Sequence, residues 1–276
     1  MLRDDLQSDF NALLPGQSNL QGSTRRTALK AALGAGYAAT AMPIMAQTAI
    51  KTSSEGLTVG EVTIDVKGFK MAAYRAAPAG KTSLPVVLVI QEIFGVHEYI
   101  ADTARRFAKA GYLAIAPELF TRQGDPTTYG EVAKLMAEVV SKVPDAQVMG
   151  DLDAAVQWAG ANGGNTGKVG ITGYCWGGLL SWRSACLLSG LSAAAPYYGG
   201  GMTTAEESAR KPTVPVMAHF GDQDHWIPMD TVEAFRAAHP EVTVHVYPAN
   251  HGFNCDHRAA WDAESAKLAR ERTLAF

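Results

Sequence analysis

Apolar and polar residues follow two rhythms along this chain. From Thr58 to Tyr74 they alternate, with Gly68 near the middle. A period of two belongs to a half-buried strand, so the stretch predicts an antiparallel hairpin at a sheet edge. Beyond it, short continuous apolar runs take over at 86–91, 112–116, 168–172, 193–197, 214–219 and 242–247. Each is too short for a helix and reads as a strand, the unbroken runs as strands buried on both faces. Helical patterns separate them at 98–110, 128–142, 145–161, from Trp176 onward, at 229–238 and at 259–274. Gly111 ends the first of these and Pro117 stops the strand that follows. Strands alternating with helices imply an α/β fold, a mostly parallel sheet with helices on both faces and an antiparallel N-terminal edge. Functional groups in such a sheet gather at the carboxyl ends of the strands.

One junction carries chemistry. Gly173-Tyr174-Cys175-Trp176-Gly177 joins the strand at 168–172 to the helix from Trp176. A strand, a Gly-flanked turn and a helix form a nucleophile elbow, here with cysteine at its tip. Glycines two positions before and after the tip suit a turn too tight for side chains. The chain thus resembles the α/β-hydrolase fold, whose triad runs nucleophile, acid, histidine. Acids follow at Asp222 and Asp224, just past the strand at 214–219, and spacing does not separate them. His251 follows the last strand and can return to Cys175 as its base. His225 precedes that strand and fits the base role poorly. His219 and His245 lie inside strand runs as core or face histidines, and His97, His239 and His257 read as surface or cap residues. A second carboxylate, Glu92, follows the run at 86–91, on the loop that supplies an oxyanion-hole amide in this architecture.

Several segments together resemble the dienelactone hydrolases (carboxymethylenebutenolidases). They are Gln91-Glu-Ile-Phe-Gly95, Leu119-Phe-Thr-Arg-Gln123, Gly173-Tyr-Cys-Trp-Gly-Gly178, Tyr197-Tyr-Gly199, Gly221-Asp-Gln-Asp-His225, His251-Gly-Phe253 and Glu271-Arg-Thr-Leu-Ala-Phe276, in family order from about residue 57 to the end. The resemblance implies that Cys175 is the nucleophile, His251 the base and Asp224 the orienting acid. It implies that Glu92 holds the resting thiol neutral and takes part in its activation. The backbone amides of Ile93 and Trp176 become the oxyanion hole, Arg122 the partner of a substrate carboxylate, and Tyr197 a further substrate contact. A second arginine expected four residues after the histidine is absent. Cys255 stands there, with Arg258 three residues further on as the candidate substitute. The implied substrate is a small, carboxylate-bearing lactone or ester cleaved through an acyl-cysteine. A broad carboxylesterase or thioesterase remains an alternative, as does a non-catalytic or redox-sensing exported thiol protein in which Cys255 meets Cys175.

Composition narrows the field. Of 276 residues, 47% are hydrophobic and 18% charged, as in ordinary globular proteins. A net charge of -3 gives no reason to expect nucleic acid as a partner. Three cysteines make no disulfide framework and no spacing suits a zinc site, so neither cofactor nor metal is expected. The N-terminus differs in kind. Thr24-Arg25-Arg26-Thr27-Ala28-Leu29-Lys30 matches a twin-arginine pattern, followed by an Ala-rich stretch from Ala31 to Ala41 and a small-residue site at Ala46. The apolar run is too short and weak to span a membrane. Residues 1–46 are therefore expected to be an export signal and flexible N-terminus read by the twin-arginine machinery, 47–56 a linker, and 57–276 a periplasmic catalytic domain.

Overall fold

The computed structural model describes residues 2–13 and 49–276. The twin-arginine run, the Ala-rich stretch and Ala46 lie outside the described residues.

Strands β1 (Leu57–Val66) and β2 (Phe69–Pro78) form the antiparallel hairpin, turning at Lys67-Gly68. The continuous apolar runs become β3 (Leu84–Ile90), β4 (Leu113–Pro117), β5 (Gly164–Tyr174), β6 (Ala193–Tyr197), β7 (Met217–Gly221) and β8 (Thr243–Tyr247). They form one eight-stranded sheet in the order β1-β2-β4-β3-β5-β6-β7-β8. Every pairing from β4 through β8 is parallel, and β2 meets β4 antiparallel. β3 and β5 lie at its centre, which explains why Leu88, Val89 and Ile90 are fully buried.

Helix α1 spans Leu2–Leu13, α2 Glu98–Lys109, α3 Val132–Glu138, α4 Asp145–Ala161, α5 Trp176–Leu187, α6 Ala205–Ser208, α7 Met229–Ala238 and α8 Ala263–Ala275. Trp182 of α5 packs its ring 5.1 Å from Phe235 of α7, and Arg183 of α5 pairs with Asp145 of α4. These three helices cover one face. α2 and α8 cover the other, where Tyr197 reaches Thr273.

Three expectations need correction. The helix expected at 128–142 is broken. A 3-10 turn occupies Pro126–Thr128, α3 covers only Val132–Glu138, and a second 3-10 turn spans Val140–Lys142. Gly130 and the β-branched pair Val139-Val140 weaken a continuous helix there. The last helix begins at Ala263 rather than 259, where Asp262 caps it by accepting from the Ser265 amide at 2.8 Å. The N-terminus, expected to be flexible, contains α1. That helix lies on the domain with Phe10 and Leu13 buried.

The residues expected as a linker are also tied down. The Thr52 amide and hydroxyl donate to Asp102 of α2 at 2.6 and 2.9 Å, and the Ile50 amide donates to Asp256 at 3.3 Å. Arg106 bridges Asp102 and Asp256, and Arg105 also pairs with Asp102. Asp102 is thus a buried hub that binds α2, the entering chain and the loop after β8. Breaking a buried pair from one side leaves the other charge unmatched, at a cost of about 3–5 kcal/mol. Asp102→Asn is expected to lower stability by about that amount, read as a lower urea midpoint with an unchanged slope.

Candidate active site

The elbow is strained by design of its neighbours. Cys175 adopts φ 56° and ψ -114°, a left-handed conformation unusual for a side-chain-bearing residue. A Cβ on Gly173 would lie 2.1 Å from the Gly177 carbonyl oxygen, and one on Gly177 would lie 2.5 Å from the Ile90 carbonyl oxygen. Only glycine allows this approach, which pulls α5 down onto β3 and β5 and raises Cys175 at the sheet's carboxyl edge. Two backbone bonds hold the tip to the end of β6. The Cys175 amide donates to the Tyr197 carbonyl at 3.1 Å, and the Gly200 amide donates to the Cys175 carbonyl at 3.2 Å.

The acid and the base converge on that tip. His251 Nδ1 and Asp224 Oδ2 are 2.7 Å apart. Asp224 is buried, and its other oxygen accepts from the amides of Trp226 and Ile227 at 2.8 and 3.2 Å. Asp222 is exposed, so burial distinguishes two acids that spacing could not. The Cys175 side chain is close enough to act on the same imidazole. Burial opposes a charged imidazole, but the Cys175 sulfur and the Asp224 carboxylate outweigh it and push His251 up to about 10. His219, by contrast, is a core histidine, bonded to Tyr247 and Thr273 and lowered by burial to about 3.

The turn after β3 brings the second carboxylate. Glu92 is fully buried and bridges to Gly95, whose φ is 78°. Side chains lock the turn to the loop after β4. The Val96 amide donates to Glu118 at 3.1 Å, and the Leu119 amide donates to Gln91 at 3.2 Å. Trp176 opens α5, where a first-turn amide has no acceptor within the helix.

Glu92 does not make the expected resting contact with the thiol. One oxygen accepts from Arg258 Nη1 at 2.8 Å, and the other lies 3.3 Å from His97 Nε2. Burial alone would raise the Glu92 carboxyl. Arg258 and His97 reverse that and hold it at about 2. Arg258 thus reaches the site although it lies three residues past the expected position. Gly252, at φ 82°, makes room for it, since a Cβ there would sit 2.5 Å from Arg258 Nη1. Cys255 is fully buried, and burial raises its thiol well above the usual range. All three cysteines are free.

Two nominated substrate contacts are engaged elsewhere. Arg122 donates to Asp151 of α4 at 2.7 Å and lies 4.0 Å over the Phe69 ring. Its charge is already matched, so binding a substrate carboxylate requires that pair to open. Tyr197 is buried against His219 at 4.3 Å with its hydroxyl 2.7 Å from Thr273, so its phenol faces α8 and not the elbow. The next residue, Tyr198, is the tyrosine that lies against the elbow's histidine. Its φ of 35° turns the ring onto His251, with centroids 5.1 Å apart, and its buried hydroxyl has no partner among the described residues. Periodicity offered no sign of this, because a positive φ at a strand end breaks the in-out alternation. His97 was missed for another reason. It does stand at the N-cap of α2, one of the two expected places, but it is buried there and its ring lies on Glu92.

Among the described residues, no group of His, Cys, Asp and Glu could hold a metal ion, and no helix is long and apolar enough to cross a membrane.

The dienelactone hydrolase family profile matches residues 71–276. The chain belongs to the dienelactone hydrolase family. It is 44% identical over 260 residues to a proposed carboxymethylenebutenolidase of Methylorubrum extorquens, covering 88% of this chain and 89% of that one. It is 41% identical over 255 residues to a protein of the same description from Escherichia coli K12, covering 87% and 93%. A crystal structure of a proposed dienelactone hydrolase from Klebsiella pneumoniae superposes with a TM-score of 0.75 at 44% identity, covering 79% of this chain and 97% of that one. The chain is therefore a carboxymethylenebutenolidase-like hydrolase, an enzyme of ester and lactone bonds.

Glu92 provides a test of the site's electrostatics. A carboxyl depressed from 4.5 to about 2 stabilises the fold above pH 4.5 and loses that contribution as pH falls toward 2. Glu92→Gln is expected to destabilise the fold at neutral pH, because the buried Arg258 then keeps Asp9 as its charged partner and loses the buried one. It is also expected to flatten the fall in Tm between pH 4.5 and 2, measured by scanning calorimetry.

Proposed function

We propose that this enzyme hydrolyses small, carboxylate-bearing lactones or esters through an acyl-cysteine. The observation that carries the reading is the placement of His251 between Asp224 and Cys175 at a strained elbow. With Glu92 committed to Arg258 and His97, the thiol proton has His251 as its acceptor. The thiolate attacks the carbonyl, and the new oxyanion lies between the Ile93 and Trp176 amides. His251 returns its proton to the leaving oxygen, and water attacks the acyl-cysteine with the same imidazole as base. Asp224, fixed by two amides, keeps the ring in one tautomer and stabilises its charge. Arg258 supplies a guanidinium beside the triad, the group best suited to a carboxylate on the substrate.

The test is a panel of lactones and aryl esters, each with and without a carboxylate. Cys175→Ala is expected to lower kcat at least about 10³-fold on every active substrate. Carboxylated esters are expected to show the higher kcat/KM. Equal turnover of uncharged esters overturns the anionic preference and favours a broad carboxylesterase. Activity that survives Cys175→Ala overturns the nucleophile.

We also propose export to the periplasm through the twin-arginine route, supported by Arg25-Arg26 and the Ala-rich run after them. Replacing both arginines with lysine is expected to shift the protein from the periplasmic to the cytoplasmic fraction. An unchanged distribution overturns the proposal.

A further inference from the structure

Helix α1 lies on the catalytic machinery itself. Asp9 pairs with Arg258 Nη2, while Glu92 takes Nη1 of the same guanidinium. The Phe10 ring packs 6.0 Å from Phe94, on the turn that carries Glu92 and Ile93. Gln7 clamps the start of α3, donating to the Gly130 carbonyl at 3.0 Å and accepting from the Val132 amide at 2.9 Å. Phe10 is 1% exposed and Leu13 6%, so the docked face is closed to water. The helix therefore holds a carboxylate against the Arg258 guanidinium, with an aromatic ring next to it. Arg258 is nearly inaccessible in this arrangement, its side chain 3% exposed. Its Nε has no partner among the described residues, so it has a donor left for a further acceptor.

We propose that α1 is an intramolecular competitive inhibitor, with Asp9 occupying the position of a substrate carboxylate on Arg258. The proposal rests on the anionic-substrate reading above. The contacts are polar at Gln7 and Asp9 and apolar at Phe10 and Leu13, so undocking needs no change in the sheet. An occupant present nine-tenths of the time weakens a competing ligand about tenfold. Undocking, or removal of the N-terminus during export, relieves that penalty. An uncharged ester does not compete for Arg258 and is not affected by the Asp9 charge.

The experiment uses the full chain, its Asp9→Asn variant and an Asp9→Asn/Phe10→Ala variant. Steady-state kinetics compare 4-acetoxybenzoate with phenyl acetate. Calorimetry measures benzoate binding, and hydrogen exchange follows residues 2–13. Asp9→Asn is expected to lower KM for 4-acetoxybenzoate about tenfold and to change phenyl acetate less than twofold. Benzoate is expected to bind about tenfold more tightly to both variants and to accelerate exchange in residues 2–13 of the parent chain. Equal benzoate affinity in all three proteins, with exchange in α1 unaltered by benzoate, overturns the proposal. The binding and exchange measurements need no turnover. Loss of the proposed reaction, shown by activity that survives Cys175→Ala, therefore remains distinguishable from loss of this inference.

Discussion

The site depends on how closely two glycines let a helix approach a sheet. Gly173 and Gly177 remove the side chains that would collide with neighbouring carbonyls, and Cys175 is left in a left-handed turn. Conformations of that kind cost about 1–3 kcal/mol and persist only where the surroundings overdetermine them. Here the surroundings are the parallel pairing of β5 with β3 and β6, and the bonds between Cys175 and the end of β6. Every other functional group is positioned relative to that turn. Glu92 and Ile93 follow β3, Tyr198 follows β6, Asp224 follows β7 and His251 follows β8.

Charge is distributed in two linked layers around the sulfur. The first contains His251 and Asp224, where the carboxylate and the Cys175 sulfur raise the proton affinity of the imidazole against the effect of burial. The second contains Glu92, His97 and Arg258, buried and closed on itself. A buried ion pair is a poor source of net stability but a strong constraint on geometry. Its effect here is to orient Glu92 toward Arg258 and His97.

Much of the fold was readable because it is local. The hairpin, the apolar strand runs and the elbow each declare themselves within a dozen residues, and their spacing survives folding with shifts of a few positions. The Asp222/Asp224 choice was not local, since only burial and the Trp226 and Ile227 amides separate them. Tyr198 was hidden by its backbone, as one positive φ exchanges the directions expected of Tyr197 and Tyr198. Arg122 looked available because nothing in its own segment reveals Asp151 or Phe69. The docking of α1 was illegible for the same reason, because the partners of Asp9 and Phe10 lie 249 and 84 positions away.

The hub at Asp102 also sets where the chain can be cut. Ile50 and Thr52 are backbone donors to the acids that secure α2 and the loop carrying His251. A chain cut upstream of Ile50 keeps this strap whole, whereas one cut beyond Thr52 loses both donors to the acidic cluster. The fold thereby sets its own limit on how far the N-terminal side can be shortened.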